Sequence, residues 1–136
     1  MRRLSWFLLA VFLLVQAIPS APALGQAATA ALPGQNVVCK TSGKTQICAS
    51  VSNKAPAQYT YVTVYGSLKV NGVMQKSKTM IAVGHYKTTT PSCQGLTSST
   101  GVGSCKRGIS RATKGYRVQV VVTINGYTVT TWFTPG

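Results

Sequence analysis

The amino-acid sequence predicts an all-β fold, a small antiparallel β-sandwich of Ig-like or similar type, made of three hairpins and two disulfides after an N-terminal signal peptide. Two segments alternate apolar and polar residues around an Asn-Gly pair, at Asn71-Gly72 and Asn125-Gly126. Asn-Gly in this setting is the strongest short hairpin signal, because a type I′ turn needs positive φ at both central residues. Beyond the N-terminal segment, no stretch shows the 3.6-residue period of a helix.

The N-terminal segment is typical of a secretory signal peptide. Two arginines precede an apolar run over residues 4–18, and small residues follow. The run is shorter than the ~20 residues that a spanning helix needs, which disfavours the alternative of an uncleaved membrane anchor. We predict a signal peptide over residues 1–23 and no stable membrane insertion after cleavage. The candidate cleavage positions follow Ala23, Ala27 and Ala30.

Two further segments complete the predicted organisation. Residues 24–35 are rich in Ala and Pro and lack periodicity, so we expect a disordered leader. Residues 36–136 form the predicted β-sandwich domain. The export signal places the mature protein outside the cell or at the cell surface.

The four cysteines predict two disulfides, because an even number in a small exported chain is typical of a disulfide framework. They are Cys39, Cys48, Cys93 and Cys105. A four-residue loop over residues 42–45 would place Cys39 directly opposite Cys48, whereas a two-residue Ser42-Gly43 turn would separate them. We favour the pairing Cys39–Cys48 with Cys93–Cys105, which is one of three connectivities.

The two Asn-Gly hairpins each present one apolar face. The first turn pairs Val70 with Val73, Leu68 with Gln75, Val64 with Thr79 and Val62 with Ile81. This face is a predicted core face, and Met80 and Ala82 fall on the opposite, outer face. The second turn pairs Ile124 with Tyr127, Val122 with Val129, Val120 with Thr131 and Val118 with Phe133. The intervening residues 84–115 are rich in Gly, Ser and Thr, and we expect a long loop held by Cys93–Cys105.

The charge balance excludes several classes of function. The chain has 14 Lys and Arg residues, no Asp or Glu, and one His, whereas apolar residues reach 45% and can form a core. Catalytic carboxylate pairs, the usual triads and typical Ca²⁺ or Mg²⁺ sites all need carboxylates. A reactive thiol of Cys93 beside His85 is conceivable, but an export signal favours disulfides. We therefore predict no enzymatic activity, no metal and no cofactor.

The basic residues are the candidate site. One group lies in "KRGISRATKGYR" and comprises Lys106, Arg107, Arg111, Lys114 and Arg117. A second group shares the outer face of the predicted second hairpin with tyrosines and comprises Lys69, Lys76 and Lys78. Candidate aromatic platform residues are Tyr59, Tyr61, Tyr65 and Trp132. The cations attract anionic groups, and the aromatic rings beside them stack on sugar rings or bases.

These residues predict a binding protein whose partner is an anionic extracellular polymer or surface, such as cell-wall polymer, acidic glycan or a competitor's envelope in an antimicrobial role. We expect nucleic acid to bind only as a generic polyanion. The simplest alternative is that the charge serves solubility. A structural cell-surface or fibre subunit is another, because the Val- and Thr-rich segment "YTVTTWF" has the character of an edge strand open to self-assembly. The third is an enzyme inhibitor that presents the Cys93–Cys105 loop.

Overall fold

The computed structural model describes residues 31–136, so the predicted signal peptide and its cleavage positions lie outside the described residues. The strands of this part are β1 (Gln35–Ser42), β2 (Thr45–Val51), β3 (Tyr61–Val70), β4 (Val73–Met74), β5 (Thr79–His85), β6 (Ser92–Leu96), β7 (Val102–Gly108), β8 (Val118–Ile124) and β9 (Tyr127–Phe133). Gln35, which the sequence assigned to the leader, is the first residue of β1. Among residues 31–136 there is no helix of the length and apolarity that crossing a membrane requires.

The all-β prediction is confirmed, and the strands form two antiparallel sheets. One sheet has the order β1-β2-β3-β4, and β7 pairs with β3 beside β4. The other has the order β6-β5-β8-β9. The two sheets share one apolar core, to which β2, β3, β5, β8 and β9 contribute. The finer assignment to an Ig-like type stays a prediction.

The first hairpin has the register that opposes the two cysteines. Cys39 pairs with Cys48, and Ser42 pairs with Thr45 across a turn at Gly43 and Lys44. Gly43 has φ of 58°, a left-handed conformation that favours glycine. The Cys39–Cys48 disulfide is formed, with its Cα atoms 4.1 Å apart. The predicted pairing is confirmed.

The third hairpin is also confirmed. β8 and β9 pair in the predicted register, from Val118 with Phe133 to Ile124 with Tyr127. Every second residue of β8 is buried, as the alternation of apolar and polar residues requires.

The second predicted hairpin is wrong beyond its turn. β4 pairs with β3 only at Lys69–Met74 and Val70–Val73. The chain then crosses to the other sheet, where β5 pairs with β6 and β8. In β5 the buried residues are Met80 and Ala82, whereas Ile81 is exposed, so its faces are the reverse of those predicted. "TMIAVGH" is nearly continuously apolar, so it fits either phase, and the apolar face of β8 decides the outcome.

Gly66 is a feature of β3 that the crossing of β5 explains. A methyl group on Gly66 would lie 2.7 Å from Met80 Sδ and 2.9 Å from Val122 Cγ1. Met80 is fully buried in the space above Gly66. The glycine therefore lets the two sheets approach where the largest β5 side chain enters the core.

The predicted long loop over residues 84–115 is a second correction, because it contains β6 and β7. Neither strand has a strong apolar alternation, since both are rich in Gly, Ser and Cys. β6 belongs to one sheet and β7 to the other, so the Cys93–Cys105 disulfide joins the two sheets along this edge. At Gly95 the backbone of β6 lies directly against the Ser104 carbonyl of β7, which leaves no room for a side chain.

The opposite edge of the structure is closed by hydrogen bonds from Asn36. Its Nδ2 donates to the Trp132 carbonyl at 2.7 Å, and its carbonyl accepts from Thr131 Oγ1 at 2.6 Å. Next to it, buried Ser50 donates to the Pro33 carbonyl. The two sheets are therefore joined along both edges, by a disulfide on one and by side-chain hydrogen bonds on the other.

Candidate anion-binding site

The pairing of β3 with β7 brings together residues that lie far apart in the sequence. Tyr61 pairs with Gly108, and Thr63 pairs with Lys106. The tyrosines of β3 are thereby placed beside the first half of the "KRGISRATKGYR" segment. Part of the predicted cationic group and part of the predicted aromatic platform therefore form one surface.

Next to this surface a groove runs between the β5–β6 loop (residues 86–91) and the segment after β7 (residues 108–113). Its volume is about 570 Å³. Its lining includes three cations and five Ser or Thr hydroxyl groups, from Lys87, Arg107, Arg111, Thr88, Thr89, Thr90, Ser110 and Thr113, together with Tyr86, Pro91, Gly108, Ile109 and Ala112. No carboxylate side chain competes for these cations, because the chain has none.

Both arginines of the groove are held by hydrogen bonds to the protein. Arg107 Nη1 donates to the Ser92 carbonyl at 2.9 Å, which fixes the guanidinium at the junction of β6 and β7. Arg111 Nε donates to the Tyr59 hydroxyl at 2.7 Å. A guanidinium carries five N–H donors in a planar fork, so each arginine retains most of its donors for a ligand.

Two tyrosines flank the groove with exposed rings. Tyr59 and Tyr61 are 66% and 64% exposed. Lys106 Nζ lies 4.6 Å from the centre of the Tyr61 ring, within the range of a cation–π contact. The Tyr59 amide donates to the Ser110 carbonyl at 2.9 Å, which ties this tyrosine to the groove wall. Tyr59 therefore stands beside Arg111 at the groove, and Tyr61 stands beside Lys106 on the outer face of β3 and β7.

The inner end of the groove is closed by Tyr86. Its ring packs edge-on against Phe133, with centroids 6.0 Å apart. Burial raises the pKa of the Tyr86 hydroxyl, and the positive charge of Arg107 partly opposes this effect. The crevice behind Tyr86 has a volume of only about 20 Å³, so the groove does not continue into the core.

The structure separates other predicted residues from the groove. Arg117 lies over the Trp132 ring, with Cζ 4.1 Å from its centre, on the second sheet. Tyr65 lies mid-strand in β3, between Ser50 and Ser104, at a distance from the groove. Lys114 is exposed in the turn before β8. The "KRGISRATKGYR" segment is therefore distributed over three surfaces.

Of the predicted lysine group, only Lys69 keeps its predicted place, paired with Met74 on the face of β3 that carries Tyr61 and Tyr65, so the positions of Lys76 and Lys78 are a further correction. Lys69 lies near the β3–β4 turn, and Lys76 and Lys78 lie in the crossing between sheets, so neither pairs with Ser67 or Tyr65 as expected. Tyr61 is at the other end of β3. The reason is again the departure of the chain from the predicted hairpin after residue 75.

The described cations therefore occupy the two ends of the strands. We call one the arginine end, which carries Lys54, Lys87, Lys106, Arg107, Arg111, Lys114 and Arg117. We call the other the lysine end, which carries Lys40, Lys44, Lys69, Lys76 and Lys78. The arginine end holds the groove.

Sequence reasoning missed the β5–β6 loop as part of the site. Lys87 and the adjacent threonines stand in "HYKTTTP", where a single cation gives no charge cluster. Three consecutive threonines before a proline were the available signal. Only the folding of this loop against residues 108–113 makes them a wall of the groove.

Thiol and metal chemistry have no support in the described part of the chain. All four cysteines are in disulfides, so the conceivable Cys93 thiol near His85 does not exist there. No group of three His, Cys, Asp or Glu residues is placed to hold a metal ion within residues 31–136.

Two disulfides are compatible with a secreted or extracellular protein. No protein-family model, curated protein or solved structure matches this chain.

Proposed function

We propose that this protein is a secreted, non-enzymatic β-domain that binds an anionic extracellular polymer in the groove at its arginine end. One observation carries the proposal: the guanidinium groups of Arg107 and Arg111 line the same groove, and each is held by a protein acceptor. Planar guanidinium forks match the geometry of carboxylate, sulfate and phosphate groups.

Prior fixation of the arginines favours binding. A long side chain that is immobilised on binding costs about 0.5–1.5 kcal/mol. Since Arg107 and Arg111 already have hydrogen-bond partners, part of this cost is met when the protein folds. The threonine hydroxyl groups add neutral donors that a solvated lysine surface lacks. This arrangement supports a binding site over a role of the charge in solubility alone.

Within the class of anionic polymers, the rim favours an acidic glycan. Tyr59 is bonded to Ser110 of the groove wall and Tyr61 pairs with Gly108 at the groove's edge; both rings are exposed, and aromatic rings stack on sugar rings. Tyr61 lies next to Gly108, where a methyl group would be 3.5 Å from Tyr61 Cε1. A sugar on the tyrosines and its charged substituent in the groove would thus contact adjoining surfaces.

The test is retention of the mature protein on heparin, DNA and isolated cell wall across a salt series. The variant R107Q/R111Q should bind heparin about tenfold more weakly per arginine lost, the lower end of the range for charged hydrogen bonds. The slope of log affinity against log salt should fall by about 1.5. The control K40Q/K44Q removes the same charge at the lysine end and should retain most of the affinity.

Equal losses in R107Q/R111Q and K40Q/K44Q would contradict the assignment to the groove. Retention equal to that of an unrelated protein of similar charge would contradict the proposed function itself. If the affinity did not fall as the salt concentration rises, charge would not be the basis of recognition.

Two observations weigh against the alternatives. At the β9 edge the Trp132 carbonyl accepts from Asn36, and the Thr134 amide donates to the Lys54 carbonyl at 2.8 Å, so part of this edge is already paired. A partly paired edge is a poorer template for self-assembly. The cysteines proposed to frame an inhibitory loop lie in strands of different sheets, so they hold the sheets together and do not frame a projecting loop.

A further inference from the structure

The lysine end combines cations with exposed apolar side chains, a composition that the polymer-binding groove does not explain. Its turns are joined, because the Asn71 amide donates to the Lys44 carbonyl at 2.9 Å. Lys69 pairs with Met74 just beyond the Asn71-Gly72 turn, and Lys76 follows in the crossing. Several lysines therefore surround the tips of two neighbouring turns.

Three large apolar or aromatic side chains project at this same end. Val73 follows the Asn71-Gly72 turn and is 62% exposed. Leu96 is 64% exposed and pairs with Thr79, the first residue after the crossing. Tyr127 follows the Asn125-Gly126 turn and is 40% exposed. Two further aliphatic side chains are exposed among the described residues, Val37 (51%) in β1 and Ile81 (38%) in β5, and both lie within their strands.

Exposed aliphatic side chains at turn tips gain little from a hydrated polymer. At an anionic lipid surface they enter the boundary between headgroups and acyl chains, while nearby lysines contact the headgroup phosphates. A polymer in water would use the lysines but leave Val73 and Leu96 exposed. The mixture of lysine and aliphatic residues therefore fits a lipid surface better than a second polymer chain.

We propose that the lysine end docks reversibly on an anionic lipid surface through its lysines, with Val73 and Leu96 inserted at the headgroup boundary. The two ends are about 20–25 Å apart, from seven-residue strands with a rise of about 3.3 Å per residue. That exceeds the Debye length of about 8 Å at physiological salt, so the two ends act independently. A molecule bound at both ends would hold an anionic polymer against a membrane. The docking itself does not depend on the groove.

The test is sedimentation with vesicles of phosphatidylcholine, with and without phosphatidylglycerol. The mature protein should bind the anionic vesicles and not the neutral ones. Each lysine near an anionic surface is worth about fivefold in partitioning, so K44Q/K76Q should bind about 25-fold more weakly. The control K54Q/K114Q removes the same charge from exposed positions outside the lysine end, and its affinity for anionic vesicles should fall by less than threefold.

The apolar contribution is tested separately with V73S/L96S. Both side chains are exposed, so the fold should be retained, which an unchanged melting temperature would show. We expect vesicle binding to fall about tenfold and heparin retention to stay the same. An unchanged vesicle affinity of V73S/L96S would overturn the proposal, as would equal losses in K44Q/K76Q and K54Q/K114Q.

These results are distinguishable from a failure of the polymer-binding function. Heparin retention reports on the groove, and vesicle sedimentation reports on the lysine end. If K44Q/K76Q weakened heparin retention as much as vesicle binding, the lysine end would be a second polymer site and the lipid proposal would fail.

Discussion

The substitution Gly66→Ala tests the position of β5, the element that sequence reasoning misplaced. In the structure an added methyl group would lie 2.7 Å from Met80 Sδ, 2.9 Å from Val122 Cγ1 and 3.2 Å from Ile124 Cδ1. Two of these distances are shorter than a real Cβ makes, so the core has to shift. In the hairpin predicted from sequence, Met80 would face outward and this crowding would not involve it.

The expected magnitude follows from two opposing terms. Overpacking a filled core costs about 1–3 kcal/mol. Replacing glycine by alanine in a strand stabilises the folded state by about 0.5–1 kcal/mol, because the unfolded chain loses conformational freedom. The net expectation is destabilisation of about 1–2 kcal/mol. Met80 is the flexible neighbour, so shortening it should relieve part of the crowding.

The assay is urea unfolding with the disulfides intact, on wild type, G66A, M80A and the double variant. M80A alone should cost about 2–5 kcal/mol because it leaves a cavity in the core. In the double variant the new methyl group partly fills that cavity, so the loss should be smaller than the sum by at least about 1 kcal/mol. The matched control is G108A, where the added methyl group would make an ordinary contact at 3.5 Å.

Two results would refute this reasoning. If G66A were as stable as G108A, the space above Gly66 would not be filled by Met80. If G66A and M80A were additive, the two residues would not share a packing site, and β5 would not have the register with β8 that pairs Met80 with Ile124.

Four further predictions concern pH and the two closed edges. No carboxylate side chain exists to be protonated, so the free energy of unfolding should be nearly constant from pH 7 to pH 3, and a steep acid loss would contradict this. The raised pKa of Tyr86 stabilises the fold fully below pH 10 and ceases to do so as pH rises through the higher folded value, so Y86F should lose less stability than wild type between pH 9 and pH 12. The variant C93S/C105S should unfold at lower urea with a loss of about 3 kcal/mol, because it frees a cross-link between residues 12 apart, and a loss below about 1 kcal/mol would contradict that role. N36A should cost about 1–2 kcal/mol in the same assay, because it removes the Nδ2 donor of the Trp132 carbonyl while the backbone carbonyl that accepts from Thr131 remains, and an unchanged midpoint would show that the Nδ2 bond does not hold this edge.

The sequence predicted those parts of the fold whose partners are close in the chain. Cys39 and Cys48 were paired correctly, and the hairpin around Asn125-Gly126 was predicted in full register. In both cases a short turn sets the alignment of the strands, so local residues carry the information.

The parts that were missed depend on distant partners. Residues 92–96 and 102–108 have little apolar alternation, and they become strands because β5 and β3 offer them free edges. β5 itself fits two registers, and the larger apolar face of β8 selects one. Such choices rest on the total burial of a core, which a local pattern does not contain.

The candidate site shows the same division. Composition alone predicted an anionic partner, and it determined the absence of carboxylate side-chain chemistry and the number of cysteines available for two disulfides, because these follow from which residue types the chain contains. The tertiary structure decided that Arg107, Arg111 and Lys87 meet in one groove beside Tyr59 and Tyr61, and that the other lysines lie at the far end. Cations separated along the chain reach a common ligand only when distant strands pair, and that pairing is settled by burying the apolar faces of both sheets against each other.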